Sequence, residues 1–170
     1  MSGNSGYRVQ GTGSGVKSKA LNPKPQTLNP SPSSPTTTQF RLRVRFAETD
    51  QMGIAHHSSY VVWMEAARVE WLRERGVSYR QWEEEGVSLA VSGIELEYRA
   101  SAKFDDELII ETKLVEAKSR RFRFEYLIRR DTTLLAKGSS LHTPTDRTGK
   151  AIRLPQQWFE ALEQYLGPSQ

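Results

Sequence analysis

Apolar and charged residues alternate through "FRLRVRF" from Phe40 to Phe46, the mark of a strand with one buried face. Soon afterwards the period changes. Tyr60, Met64, Ala67 and Trp71 recur at three- and four-residue steps, with Val61 and Leu72 beside them, so one face of a helix is apolar. Ser58 or Ser59 is placed to cap that helix, which runs to about Arg75 with Gly76 as its stop. "SYRQ" at 78–81 reads as a capping box for a second, short helix ending near Gly86.

Period-two patterning then returns for four strands. Leu89 and Val91 share a parity that Ile94, Leu96 and Tyr98 do not continue; Gly93 sits at the shift and predicts a bulge. Leu108, Ile110, Thr112 and Leu114 alternate with Ile109, Glu111, Lys113 and Val115. Phe122, Phe124, Tyr126 and Ile128 alternate with Arg121, Arg123, Glu125 and Arg129. A less regular strand spans 133–143, and "LPQQWFEALEQYLG" closes the chain as a helix. Short turns between the last four strands predict three hairpins or near-hairpins, hence an antiparallel sheet. The expectation is an α+β layer: a five-stranded antiparallel sheet wrapped around one long central helix, plus a short helix and a C-terminal helix.

Composition changes this picture only at the N-terminus. Residues 1–39 hold seven Ser, five Thr, five Gly and five Pro, too little apolar surface to offset about 1–2 kcal/mol per residue of backbone ordering. They read as a disordered tail, with the folded domain at 40–166. "LNPKPQT" followed by "LNPSPSS" is an imperfect repeat whose proline density rules out a coiled coil. The tail's Arg8, Lys17, Lys19 and Lys24 equal the whole net charge of +4; residues 40–170 balance twenty basic against twenty acidic groups. A neutral domain argues against a general nucleic-acid binder. An acid-free, Ser-rich leader is compatible with an organelle transit peptide, and a linker is the plainer reading. The compartment expected is therefore the cytoplasm, or an organelle stroma or matrix if the leader is a transit peptide. With no cysteine there is no disulfide or thiolate metal site, and no apolar run is long enough for a membrane span.

The candidate chemistry lies in "FAETDQMGIAHHSSYVVWMEAAR" (46–68), which packs Glu48, Asp50, His56 and His57 into the turn before the long helix. Asp50 can cap that turn through its carboxylate, or act on a substrate. Glu48, His56 and His57 lack the spacing of a metal site, since adjacent histidines diverge. Together, "ETDQMGIAHHSSY" (48–60), "WMEAARVEWL" (63–72), "YRASAKFDDEL" (98–108) and "SRRFRFEY" (119–126) resemble the hotdog-fold acyl-CoA thioesterases of the 4-hydroxybenzoyl-CoA and Tol-Pal-associated type. Two positions depart from that pattern: Ser59 stands where the family usually has Asn, and Ser101 where it usually has Pro.

The resemblance implies hydrolysis of acyl-CoA to a carboxylic acid and coenzyme A, with no metal or prosthetic group. Asp50 would face the thioester carbon, either attacking it or taking a proton from water; the sequence does not choose. The backbone N–H of His57, at the helix start, would donate to the oxyanion. Tyr60 falls at the family's helix-start tyrosine and is equally a core aromatic or a site wall. Lys118, Arg120 and Arg121, at an expected hairpin, would meet the phosphates of coenzyme A, or be ordinary exposed strand charges. The family assembles as dimers or tetramers with sites between protomers, so a homodimer or homotetramer is expected. Alternatives are a non-catalytic acyl-CoA-binding module, a hotdog hydratase or dehydratase acting on enoyl thioesters, and a thioesterase acting on acyl carrier protein.

Overall fold

The computed structural model describes residues 36–166. The strands are β1 (Thr37–Arg43), β2 (Ser88–Tyr98), β3 (Glu107–Lys118), β4 (Arg121–Arg130) and β5 (Thr133–Thr145). The helices are α1 (Ser59–Glu74), α2 (Tyr79–Glu84) and α3 (Gln156–Glu163), and a single 3₁₀ turn spans Phe46–Glu48. All five strands form one antiparallel sheet in the order β1-β3-β4-β5-β2. This is the expected α+β hotdog architecture.

Why α1 forms is a matter of packing more than propensity. Its β-branched and aromatic residues are poor helix formers. Tyr60, Trp63, Met64, Ala67, Trp71 and Leu72 are all buried. They lie within one core with Ile110, Phe122, Phe124 and Ile128 from the sheet. Each large side chain so buried is worth about 1.5–3 kcal/mol, which outweighs the propensity deficit of tenths. The chain leaves α1 through Gly76 at φ +70°, where Val77 N–H donates to the Leu72 carbonyl at 3.0 Å. Ser78 caps α2 by accepting from the Gln81 amide, as its sequence predicts. The β2–β5 register slips between Val91 and Gly93, the expected bulge.

Three expectations need correction. The first strand is not 40–46 but Thr37–Arg43, because Thr38 is buried with its hydroxyl bonded to Glu74 and Arg75. Val44 stays buried as the backbone leaves the sheet, and Phe46 turns outward onto Phe104. The strand thus starts inside the segment assigned to the tail; residues 1–35 lie outside the described residues. Second, only β3–β4 and β4–β5 are hairpins. The 99–106 link instead carries the chain across the sheet, from β2 at one edge to β3 beside β1 at the other. Third, neither Ser58 nor Ser59 caps α1 through its side chain. The Ser58 hydroxyl pairs with His56 Nδ1 at 2.7 Å, and Ser59 Oγ donates to the Glu48 carbonyl at 3.1 Å.

Beneath α1 lies a buried polar chain. Tyr126 Oη and Ser140 Oγ are 2.7 Å apart, and Ser140 Oγ and His142 Nε2 are also 2.7 Å apart. Burial, with the Arg68 charge nearby, pushes the His142 imidazole down to about 3. Folded His142 is therefore neutral where the unfolded chain would take a proton. Stability should fall as pH drops from about 6.5 towards about 3. Thermal unfolding across that window should fall less steeply in His142→Gln than in the wild type; equal slopes would refute the assignment.

Candidate active site

Between β1 and α1 the chain makes a compact turn. Gly53 N–H donates to the Asp50 carbonyl at 3.0 Å, with Gly53 at φ +72°, a conformation that favours glycine. Asp50 N–H donates to the Ile54 carbonyl at 2.9 Å, and Thr49 bridges to Ala55. Asp50 Oδ1 accepts from the Met52 amide at 2.8 Å. The capping role thus engages one carboxylate oxygen; Oδ2 has no partner among the described residues.

Glu48 fastens this turn to the helix. Its carboxylate accepts from the Trp63 indole (3.1 Å), the Arg45 guanidinium (2.8 Å) and the Arg45 amide (2.8 Å). Burial pushes its carboxyl up, but these donors outweigh that and hold it below the usual carboxylate range. Its carbonyl accepts from the His56 amide at 2.8 Å. Glu48, one acid of the turn in the sequence, thereby orients its neighbours, through partners that the sequence does not show.

The amides that follow are accounted for one by one. His56 N–H goes to Glu48, Ser58 N–H to His56 Nδ1 at 3.3 Å, and Ser59 N–H to the His56 carbonyl at 2.9 Å. His57 N–H has no acceptor among the described residues. It shares a planar trans peptide with the His56 carbonyl, which points at Ser59, so this N–H points away from the helix. Meanwhile the His57 carbonyl accepts from the Tyr98 hydroxyl at 3.0 Å.

A cavity of about 320 Å³ opens beside this peptide, lined by Asp50, Ile54, Ala55, His57, Tyr60, Tyr98, Arg99, Ala100 and Ser101. It brings together Asp50, His57 and Tyr60. Tyr60 contributes its ring: its hydroxyl accepts from the Ala102 amide at 3.2 Å, and burial raises its pKa. On the other side of Asp50 lies a more open groove of about 720 Å³, which includes Phe46, Gln51, Gly53 and His56. Asp50 borders both hollows.

Lys118, Arg120 and Arg121 stand elsewhere. Lys118 and Arg121 both pair with Glu116, at 3.0 and 2.6 Å, while Arg120 is exposed with no partner among the described residues. Their hairpin is at the far end of β3 from Glu107, roughly 36 Å along the strand. Asp50 follows β1 at the Glu107 end.

Fold and site together define a hotdog-fold thioester hydrolase. The chain belongs to the thioesterase-like superfamily, whose family profile matches residues 44–162. The acyl-CoA thioesterase YbgC of Haemophilus influenzae is 33% identical over 101 residues, 59% of this chain and 74% of that one. A hypothetical protein of Thermus thermophilus superposes with a TM-score of 0.71 at 39% identity, covering 75% of this chain and 95% of that one. The DHNA-CoA thioesterase of Staphylococcus aureus superposes with a TM-score of 0.73 at 27% identity, covering 75% and 89%. No helix among the described residues is long and apolar enough to cross a membrane.

Proposed function

We propose that the chain hydrolyses acyl-CoA at the Asp50 cavity, releasing a carboxylic acid and coenzyme A. The observation that carries this reading is the pairing, around one cavity, of Asp50 with a helix-start amide that has no acceptor among the described residues. The thioester carbonyl oxygen would receive the His57 N–H as it gains charge. Asp50 Oδ2 would attack the carbonyl carbon, or take a proton from an attacking water. On the first route the bond to sulfur breaks to leave a mixed anhydride on Asp50, which water then hydrolyses to the free acid and the regenerated carboxylate. On the second the water adduct collapses by breaking the bond to sulfur. On both, the thiolate leaves with a proton from solvent. The names of relatives that act on CoA thioesters agree with this substrate class. Thiol release over a panel of acyl-CoA esters tests it; no turnover with any of them would favour a non-catalytic acyl-CoA-binding module. The same panel presented on acyl carrier protein separates the remaining carrier.

A second protomer completes the site in this reading. β2 is an edge strand eleven residues long, with Val91, Ile94 and Tyr98 exposed along it. Such a free edge is a template for another strand. Phe122 aligns with His142 and so with Val91, which puts the Lys118–Arg121 hairpin at the Ser88 end of β2. Two-fold antiparallel pairing of β2 edges would bring that hairpin of one copy level with Tyr98 of the other. Three strand spacings would separate them, roughly 15 Å, within reach of an extended coenzyme A arm. Arg120→Ala should then raise KM for acyl-CoA much more than for an acyl-pantetheine. Equal effects on both substrates would discard the hairpin as a phosphate site.

A further inference from the structure

We infer that Tyr98 is a positioning residue for the reaction, holding the oxyanion amide of His57 in place through its hydroxyl. The inference rests on the reading of His57 N–H as the oxyanion donor. Two peptide planes flank residue 57. The plane carrying its N–H is held within the turn by Ser59 N–H on the His56 carbonyl. The plane carrying its carbonyl is held locally only by Ser58 N–H on His56 Nδ1, at 3.3 Å. Tyr98 supplies the other hold, at 3.0 Å and from forty-one residues away. It is the sole tie to residue 57 from outside the turn among the described residues. Its ring stands edge-on to Tyr60, with centroids 5.1 Å apart, so the hydroxyl is aimed by packing as well as by β2.

A donor serves an oxyanion only where it is already oriented, because reorientation during reaction raises the barrier. Without the Tyr98 hydroxyl, residue 57 can turn about its own Cα–C bond. That turn displaces Ser58 and Ser59, loosens the hold of Ser59 N–H on the His56 carbonyl, and so frees the His57 amide from its orientation. Binding of the ground-state substrate depends little on this, so the loss belongs in kcat. Tyr98 also ends the strand whose free edge is offered to a second copy, so its hydroxyl links that edge to the cavity.

The test compares kcat and KM for thiol release from one acyl-CoA in wild type, Tyr98→Phe, Tyr79→Phe and Asp50→Asn, well below every unfolding midpoint. Tyr79 is a matched control: its hydroxyl donates to the Leu89 carbonyl at 3.2 Å, away from the cavity. Tyr98→Phe should lower kcat about 3- to 10-fold, the factor one neutral hydrogen bond carries, with KM within about two-fold of wild type. Tyr79→Phe should keep the wild-type kcat. A Tyr98→Phe enzyme with wild-type kcat, a loss confined to KM, or an equal loss in Tyr79→Phe would each overturn the assignment. An Asp50→Asn enzyme with wild-type kcat would place the reaction away from Asp50 and sink the reading of this cavity as the reacting site, which separates the two failures.

Discussion

Asp50→Asn should lower kcat for acyl-CoA hydrolysis by about 10²–10⁴-fold, the range a positioned base or nucleophile supplies, and leave the thermal midpoint near that of the wild type. The two halves of the expectation come from the two carboxylate oxygens. Oδ1 accepts from the Met52 amide, and an asparagine oxygen can do the same, so the turn keeps its shape. Oδ2 is the oxygen without a partner among the described residues, and the amide nitrogen that replaces it can neither attack nor accept a proton. A variant that is both inactive and unfolded would mean that the carboxylate is structural. Near-wild-type turnover in a folded variant would remove Asp50 from the reaction. A single turnover in heavy-oxygen water then bears on the route: label found in Asp50 means attack through a mixed anhydride opened at the Asp50 carbon, and label confined to the released acid supports general-base delivery of water.

Trp71→Ala should destabilise the fold by about 3–5 kcal/mol, the cost of truncating a fully buried indole. Trp71 is 0% exposed and is held on every side. Phe124 and Tyr165 meet it edge-on at 5.3 and 5.9 Å, and the Arg75 guanidinium lies 3.8 Å from its ring centroid. Its indole N–H donates to the Thr36 carbonyl at 3.0 Å, which ties α1 to the start of β1. Urea unfolding followed by circular dichroism measures the loss, and a midpoint fall of more than about 6 °C should accompany it. A change under about 1 kcal/mol would mean that the site collapses to fill the void, against the close packing described here.

How far these features can be read from the sequence depends on the range of the interactions that fix them. The alternation in β3 and β4 is local and strict, so both strands and their buried faces are legible, as is the α1 stripe. Gly93 announces its bulge because parity breaks on either side of it. The path of the 99–106 link is not legible. Eight residues suit a hairpin loop as well as a crossing, and which sheet edge a strand joins depends on pairings such as Ser88 with Thr145. The end of β1 is misleading for another reason: Val44 stays buried after the backbone leaves the sheet, so apolar alternation outlasts hydrogen bonding. At the site, Asp50 and His57 stand out through a family pattern within one short segment. In the sequence Tyr98 is one more strand residue. Only its place at the end of β2, opposite the helix start, makes its hydroxyl significant.

The sheet order separates the chemistry from its scaffold along the chain. Asp50, His57, Tyr60 and Tyr98 all precede residue 107, whereas β1 has its pairing partner in β3 and β2 in β5. During translation the segment proposed to react emerges before its scaffold and can only wait. The sheet that positions it is complete only once the last strand has left the ribosome, so a nascent chain carries the groups proposed to react before it has the scaffold that places them.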